Sequence, residues 1–99
     1  MTNWCYLLVF NEGFDANRVR DFIDAQPNIS YWVKSLPNSL FLVSSLTAGG
    51  ISTRIRNEFG TEQGLRFFVT EVHTDRDGWL PASVWYMFKN PDNPRKPKE

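Results

Sequence analysis

The sequence has little of the equipment that most site chemistry uses. It holds one cysteine, Cys5, and one histidine, His73, in 99 residues. A lone thiol forms no internal disulfide, which fits a reducing compartment and sets the expectation of a cytoplasmic protein. A lone imidazole excludes a paired-histidine metal site within one subunit. Net charge is zero, from 11 basic and 11 acidic side chains. That balance argues against a strongly basic nucleic-acid clamp and against an acidic mimic of DNA. The apolar run Trp4–Phe10 is far short of the roughly 20 residues that span a bilayer, so no membrane partner is expected. Met1-Thr2-Asn3-Trp4 lacks the basic segment of a secretory leader. No serine sits in a Gly-x-Ser-x-Gly elbow.

What the chain does have is aromatic rings: four Trp, eight Phe and three Tyr, or 15% of residues. That load argues against disorder and supplies bulk to the core of a small domain. Residues 1–90 read as a single domain. Residues 91–99 hold three prolines and no large apolar side chain, and read as a disordered tail.

Trp4–Phe10 is apolar on both faces, as in a central strand. Asn11-Glu12-Gly13 is a turn signal. Asp15 is placed to cap a first helix, with Phe14 and Val19 spaced for a hydrophobic staple. Val19, Phe22 and Ile23 form its stripe, and Pro27 stops it. Ile29 to Leu36 and Ser39 to Ser45 read as a hairpin of two strands around Pro37-Asn38. Thr47 caps a second helix with stripe Ile51, Ile55 and Phe59, and Gly60 ends it. Leu65 to His73 is a fourth strand. Pro81 suits the first turn of a short third helix, although the aromatic content after it also permits a fifth strand. The order β-α-β-β-α-β predicts an α+β, ferredoxin-like sandwich with both main helices on one face of an antiparallel sheet.

Alternation along the first strand places Trp4, Tyr6, Leu8 and Phe10 on one face and Cys5, Leu7 and Val9 on the other. The small aliphatic set suits helix packing. The aromatic set is then expected on the face without helices, extended by Trp32 or Tyr31, by Phe41, and by Phe67 or Phe68. An apolar face of that size marks an interface. Three occupants compete: the C-terminal element, a second copy packed sheet to sheet, or stacked single-stranded bases. Ser39–Ser45 lacks the basic start and Gly-aromatic core of an RNA-recognition strand. The favoured dimer surface is Trp4, Tyr6, Phe10, Trp32 and Phe41.

Other candidate chemistry is sparse. Gly49 and Gly50 lie in the first turn of the second helix, where free N–H groups attract anions, and Arg54 and Arg56 follow. This makes a candidate phosphate site for RNA or DNA. Asp75-Arg76-Asp77-Gly78 is similar to a calcium loop but lacks its third ligand and closing Glu, and reads as a turn. Cys5 reads as a core thiol and His73 as a structural residue.

Several short motifs carry a resemblance over residues 4–90: Tyr6-Leu7-Leu8-Val9-Phe10-Asn11, a hairpin with Trp32 and Leu42-Val43, Leu46-Thr47-Ala48, and Gly78-Trp79-Leu80-Pro81 before an aromatic helix. The chain resembles the small ferredoxin-like nuclease superfamily, which includes CRISPR adaptation nuclease-like, VapD-like and SinR-like proteins. The resemblance implies a homodimer and, in some members, metal-dependent cleavage of RNA or DNA. Those nucleases carry an Asp at the end of the first strand, one per subunit, to hold Mg²⁺. Here Asn11 stands there, and an amide brings no charge to such a site. The expectation is a non-catalytic assembly or nucleic-acid-associated module with no cofactor. The alternatives are a Mg²⁺-dependent endoribonuclease using Glu12 or Asp75 and Asp77, and a protein-binding adaptor.

Overall fold

The structure is a computed structural model that describes residues 2–60 and 64–94. Four strands and three helices follow in the order β1 (Trp4–Phe10), α1 (Ala16–Asp24), β2 (Ile29–Val33), β3 (Ser39–Ser44), α2 (Ala48–Phe59), β4 (Phe67–Glu71) and α3 (Ala82–Lys89). Both main helices begin at the expected caps. The Asp15 carboxylate accepts from the Asn17 amide at 2.9 Å, and the Thr47 hydroxyl accepts from the Gly50 amide at 3.0 Å. Gly60 follows α2, where a side chain would collide with the Arg56 carbonyl. Asn38 turns the β2–β3 hairpin with φ of 53°, a left-handed conformation that asparagine tolerates. No described helix is long and apolar enough to cross a membrane.

The sheet order is β2-β3-β1-β4, with every neighbouring pair antiparallel. This is the ferredoxin-like arrangement. β1 and β3 are central, and β3 is buried along its whole length because both of its faces are covered. Val19 and Ile23 of α1 and Ile51, Ile55 and Phe59 of α2 pack on one face, over Tyr6, Leu8, Phe10, Leu40 and Leu42. Val84 and Met87 of α3 pack on the other, over Cys5, Phe41 and Val43. The C-terminal element is therefore a helix, and it forms a third layer.

The two faces of β1 are the reverse of the expectation. Tyr6 and Phe10 lie under α1 and α2, at 2% and 5% exposure, and the small set Cys5, Leu7 and Val9 faces the other way. The reason is volume and satisfaction together. The two helices span a wide gap that rings fill, and the Tyr6 hydroxyl donates to the Leu46 carbonyl at 2.6 Å. On the other face Cys5 packs beside Phe41 and Val43, under Val84 and Met87 of α3. A bulge between Ile29 and Tyr31 shifts the β2 register. It lets Ile29 and Trp32 both pack toward α1 and α2, while Tyr31 and Val33 join the α3 side.

Past α3, the Asp92 carboxylate accepts from the Asn3 backbone and side-chain amides, both at 3.3 Å. The expected tail is thus tied to the domain at Asp92. Residues 95–99 lie outside the described residues.

Candidate functional site

Asn11 sits one residue beyond β1, where the strand end meets the chain entering β4. Its amide nitrogen donates to the Gly64 carbonyl at 2.6 Å and to the Glu12 carbonyl at 3.2 Å. Its side-chain oxygen accepts from the Arg66 amide at 2.9 Å. The backbone adds a further bond, Asn11 N–H to the Arg66 carbonyl at 3.0 Å. Two donors and one acceptor on one side chain are the chemistry of an amide. A carboxylate supplies no donor and would set its oxygen against two carbonyls. Asn11 is thus a latch that fixes the start of β4.

Glu12 beside it is exposed. The chain leaves β4 next to Cys5, where the Val72 amide donates to the Cys5 carbonyl at 2.8 Å, at the end of β1 remote from Glu12. Asp75, Arg76 and Asp77 follow there. The Asp77 carboxylate accepts from the Gly78 amide at 2.8 Å, and the Arg76 guanidinium donates to the His73 carbonyl at 2.9 Å. These are turn contacts. Among the described residues no three His, Cys, Asp or Glu side chains converge as metal ligands.

The candidate anion residues separate. Arg54 turns toward α1 and donates to the Gln26 side chain at 3.2 Å. The Gly50 amide is already taken by Thr47. Gly49 and Arg56 do share a concavity of about 490 Å³ between α2 and β4, together with Arg66. Among the described residues its walls carry two arginines and no acidic side chain. The part played by Arg66 was not legible in the sequence, because it depends on the fold bringing the residue before β4 under α2.

The five residues expected on a free dimer face are also redistributed. Tyr6 and Phe10 are core. Trp32 packs on the α1 side and donates from its indole to Asp24 at 2.7 Å. Phe41 lies beneath α3, edge-on to Phe88 with ring centroids 5.3 Å apart. Only Trp4 stays substantially exposed, at 39%, beside Thr47, Ala48 and Glu71.

No family model, curated protein or solved structure matches this chain.

α3 does not cover its face of the sheet completely. Val9 and Phe68 are cross-strand partners at the uncovered end, 40% and 65% exposed. Leu36 at 45% and Trp79 at 99% are exposed on connecting loops. Leu36 and Trp79 also line a cleft of about 370 Å³ with Leu7, Phe41, Trp85 and Phe88. Strand alternation carried part of this signal: of adjacent Phe67 and Phe68, one must point to each face.

Cys5 is buried, and its thiol donates to the Met87 carbonyl at 3.4 Å. Burial pushes its pKa up to about 11, against a partial pull down from Arg76 and with a further push from Glu71. Such a thiol is not a nucleophile at neutral pH. His73 stands at the surface with Nδ1 3.5 Å from the Glu71 carboxylate.

Proposed function

We propose that the protein is a non-catalytic, homodimeric assembly module of ferredoxin-like fold. The observation that carries this reading is the uncovered end of the α3 side, where Val9 and Phe68 meet solvent side by side, with Leu36 and Trp79 also exposed around a cleft on the same side as Leu7. Large apolar side chains gathered at one place on a small domain mark a surface that a partner covers. The Asn11 latch supports the non-catalytic part. The position that holds a metal-binding Asp in the nucleases this sequence resembles is here committed to an amide network. The resemblance itself adds support for a homodimer.

A second reading, association with RNA or DNA, is favoured by Arg56 and Arg66 together in one concavity. Light scattering with and without a short RNA separates the two. The expected result is twice the chain mass without RNA and no cleavage of RNA or DNA with Mg²⁺ or Mn²⁺. RNA binding that weakens steeply with salt supports the second reading, because phosphate contacts release counterions. A monomer that ignores RNA sinks both.

A further inference from the structure

β4 is an edge strand, and its outer side meets no other strand among the described residues. The ladder to β1 shows which backbone groups are left over. Arg66 and Val72 turn theirs toward β1, as the Asn11-to-Arg66 and Val72-to-Cys5 bonds record. Phe68 and Thr70, the residues of the same parity, do likewise. Antiparallel pairing alternates, so Phe67, Val69 and Glu71 point their N–H and C=O groups outward. These groups border the α2–β4 concavity, whose other wall is Ala48, Gly49, Ser52 and Arg56. Three of those four are small, so a neighbouring backbone can come close.

A phosphate chain fits this edge poorly. Its oxygens meet the outward carbonyls as well as the N–H groups, and two acceptors repel. An added strand satisfies both kinds of group.

We propose that the occupant is β4 of a second copy, paired antiparallel about a two-fold axis at Val69. This rests on the homodimer reading and places the join at the β4 edge, which takes in Phe68 of the uncovered patch and leaves Val9, Leu36 and Trp79 outside it. In that register Phe67 lies opposite Glu71 of the partner subunit, and Phe68 lies opposite Thr70 of the partner subunit. Arg56 lines the groove at its Phe67 end, and Glu71 sits at the other end of β4, on the same face as its cross-strand partner Tyr6. The two-fold therefore brings Glu71 of the partner subunit toward Arg56, and does so twice. Opposite charges at both ends of a self-paired edge fix its direction and register. The axis stands perpendicular to the sheet, so the α2 helices meet on one side through their small residues. The sheet becomes eight strands, and the exposed β4 edge is consumed.

Two kinds of variant test this. Phe68→Cys with Thr70→Cys places thiols on a directly opposed, non-hydrogen-bonded pair, where Cα atoms lie about 4.5 Å apart. Under mild oxidation the double variant is expected to form a covalent dimer, and each single variant is expected not to. Arg56→Glu or Glu71→Arg alone should weaken the dimer by about tenfold, and the two together should restore it to within about threefold. Arg56 is exposed and Glu71 is half-exposed at the end of its strand, and circular dichroism checks that each variant folds. A wild-type dimer that neither cross-links nor responds to the charge reversals overturns the β4 interface and leaves the homodimer reading in place. A wild-type chain that stays monomeric at millimolar concentration overturns both.

Discussion

Asn11 decides the most at the scale of single residues. An Asn11→Asp substitution changes one atom of nearly the same size and removes both donors. The new carboxylate oxygen would face the Gly64 carbonyl across the present 2.6 Å contact. A loss of about 1–3 kcal/mol is expected from the unmade bonds, read as a lower urea midpoint, with no gain of Mg²⁺-dependent cleavage. Unchanged stability would show that the latch is dispensable. Cys5 makes a second residue-scale case. Its thiol holds its proton more tightly when folded than in the ordinary range near 9. The folded state thus binds more protons than the unfolded state between pH 9 and about 11, and stability falls as pH rises through that window. Alkylation at pH 8 should be about a hundredfold slower for the folded chain than for the chain in urea. Equal rates would mean that α3 does not seal the thiol.

At the scale of elements, helix caps and stripes were readable because they are local. Asp15, Thr47 and the Ile51-Ile55-Phe59 stripe each needed only a few neighbouring residues to declare themselves. The strand ends were less legible. Ile29–Leu36 reads as one strand, yet β2 stops at Val33, and β4 is shorter than Leu65–His73 at both ends. A strand ends where its partner ends, and the partner is distant in sequence. The orientation of β1 is not legible in the sequence, for a related reason. Alternation divides a strand into two sets but does not say which set faces which helix. α3 is the element that settles the question. Met87 is fully buried against Cys5, Phe41 and Val43. Met87→Ala should cost about 2–5 kcal/mol by removing side-chain contacts and leaving a cavity. The same variant should speed alkylation of Cys5, whose thiol donates to the Met87 carbonyl. A stable variant with an unreactive Cys5 would count against α3 as a true third layer.

For the whole molecule, the aromatic excess divides among three places. Tyr6, Phe10 and Phe59 fill the core beneath the two main helices. Phe41 and Phe88 pack under α3 on the opposite face. Phe68 and Trp79 remain outside, where the sheet is uncovered. The sequence by itself determined the order of elements, the caps and the stripes, and with them the ferredoxin-like fold, because right-handed crossovers leave that order few arrangements. It also placed an amide, Asn11, just past the end of β1. Only the tertiary structure decided which face of β1 is core, what Asn11 holds, and that Arg56 and Arg66 share a groove with the free edge of β4. Those facts depend on contacts between residues far apart along the chain. Local propensity carries no record of such contacts; the fit of side-chain volume between layers selects them.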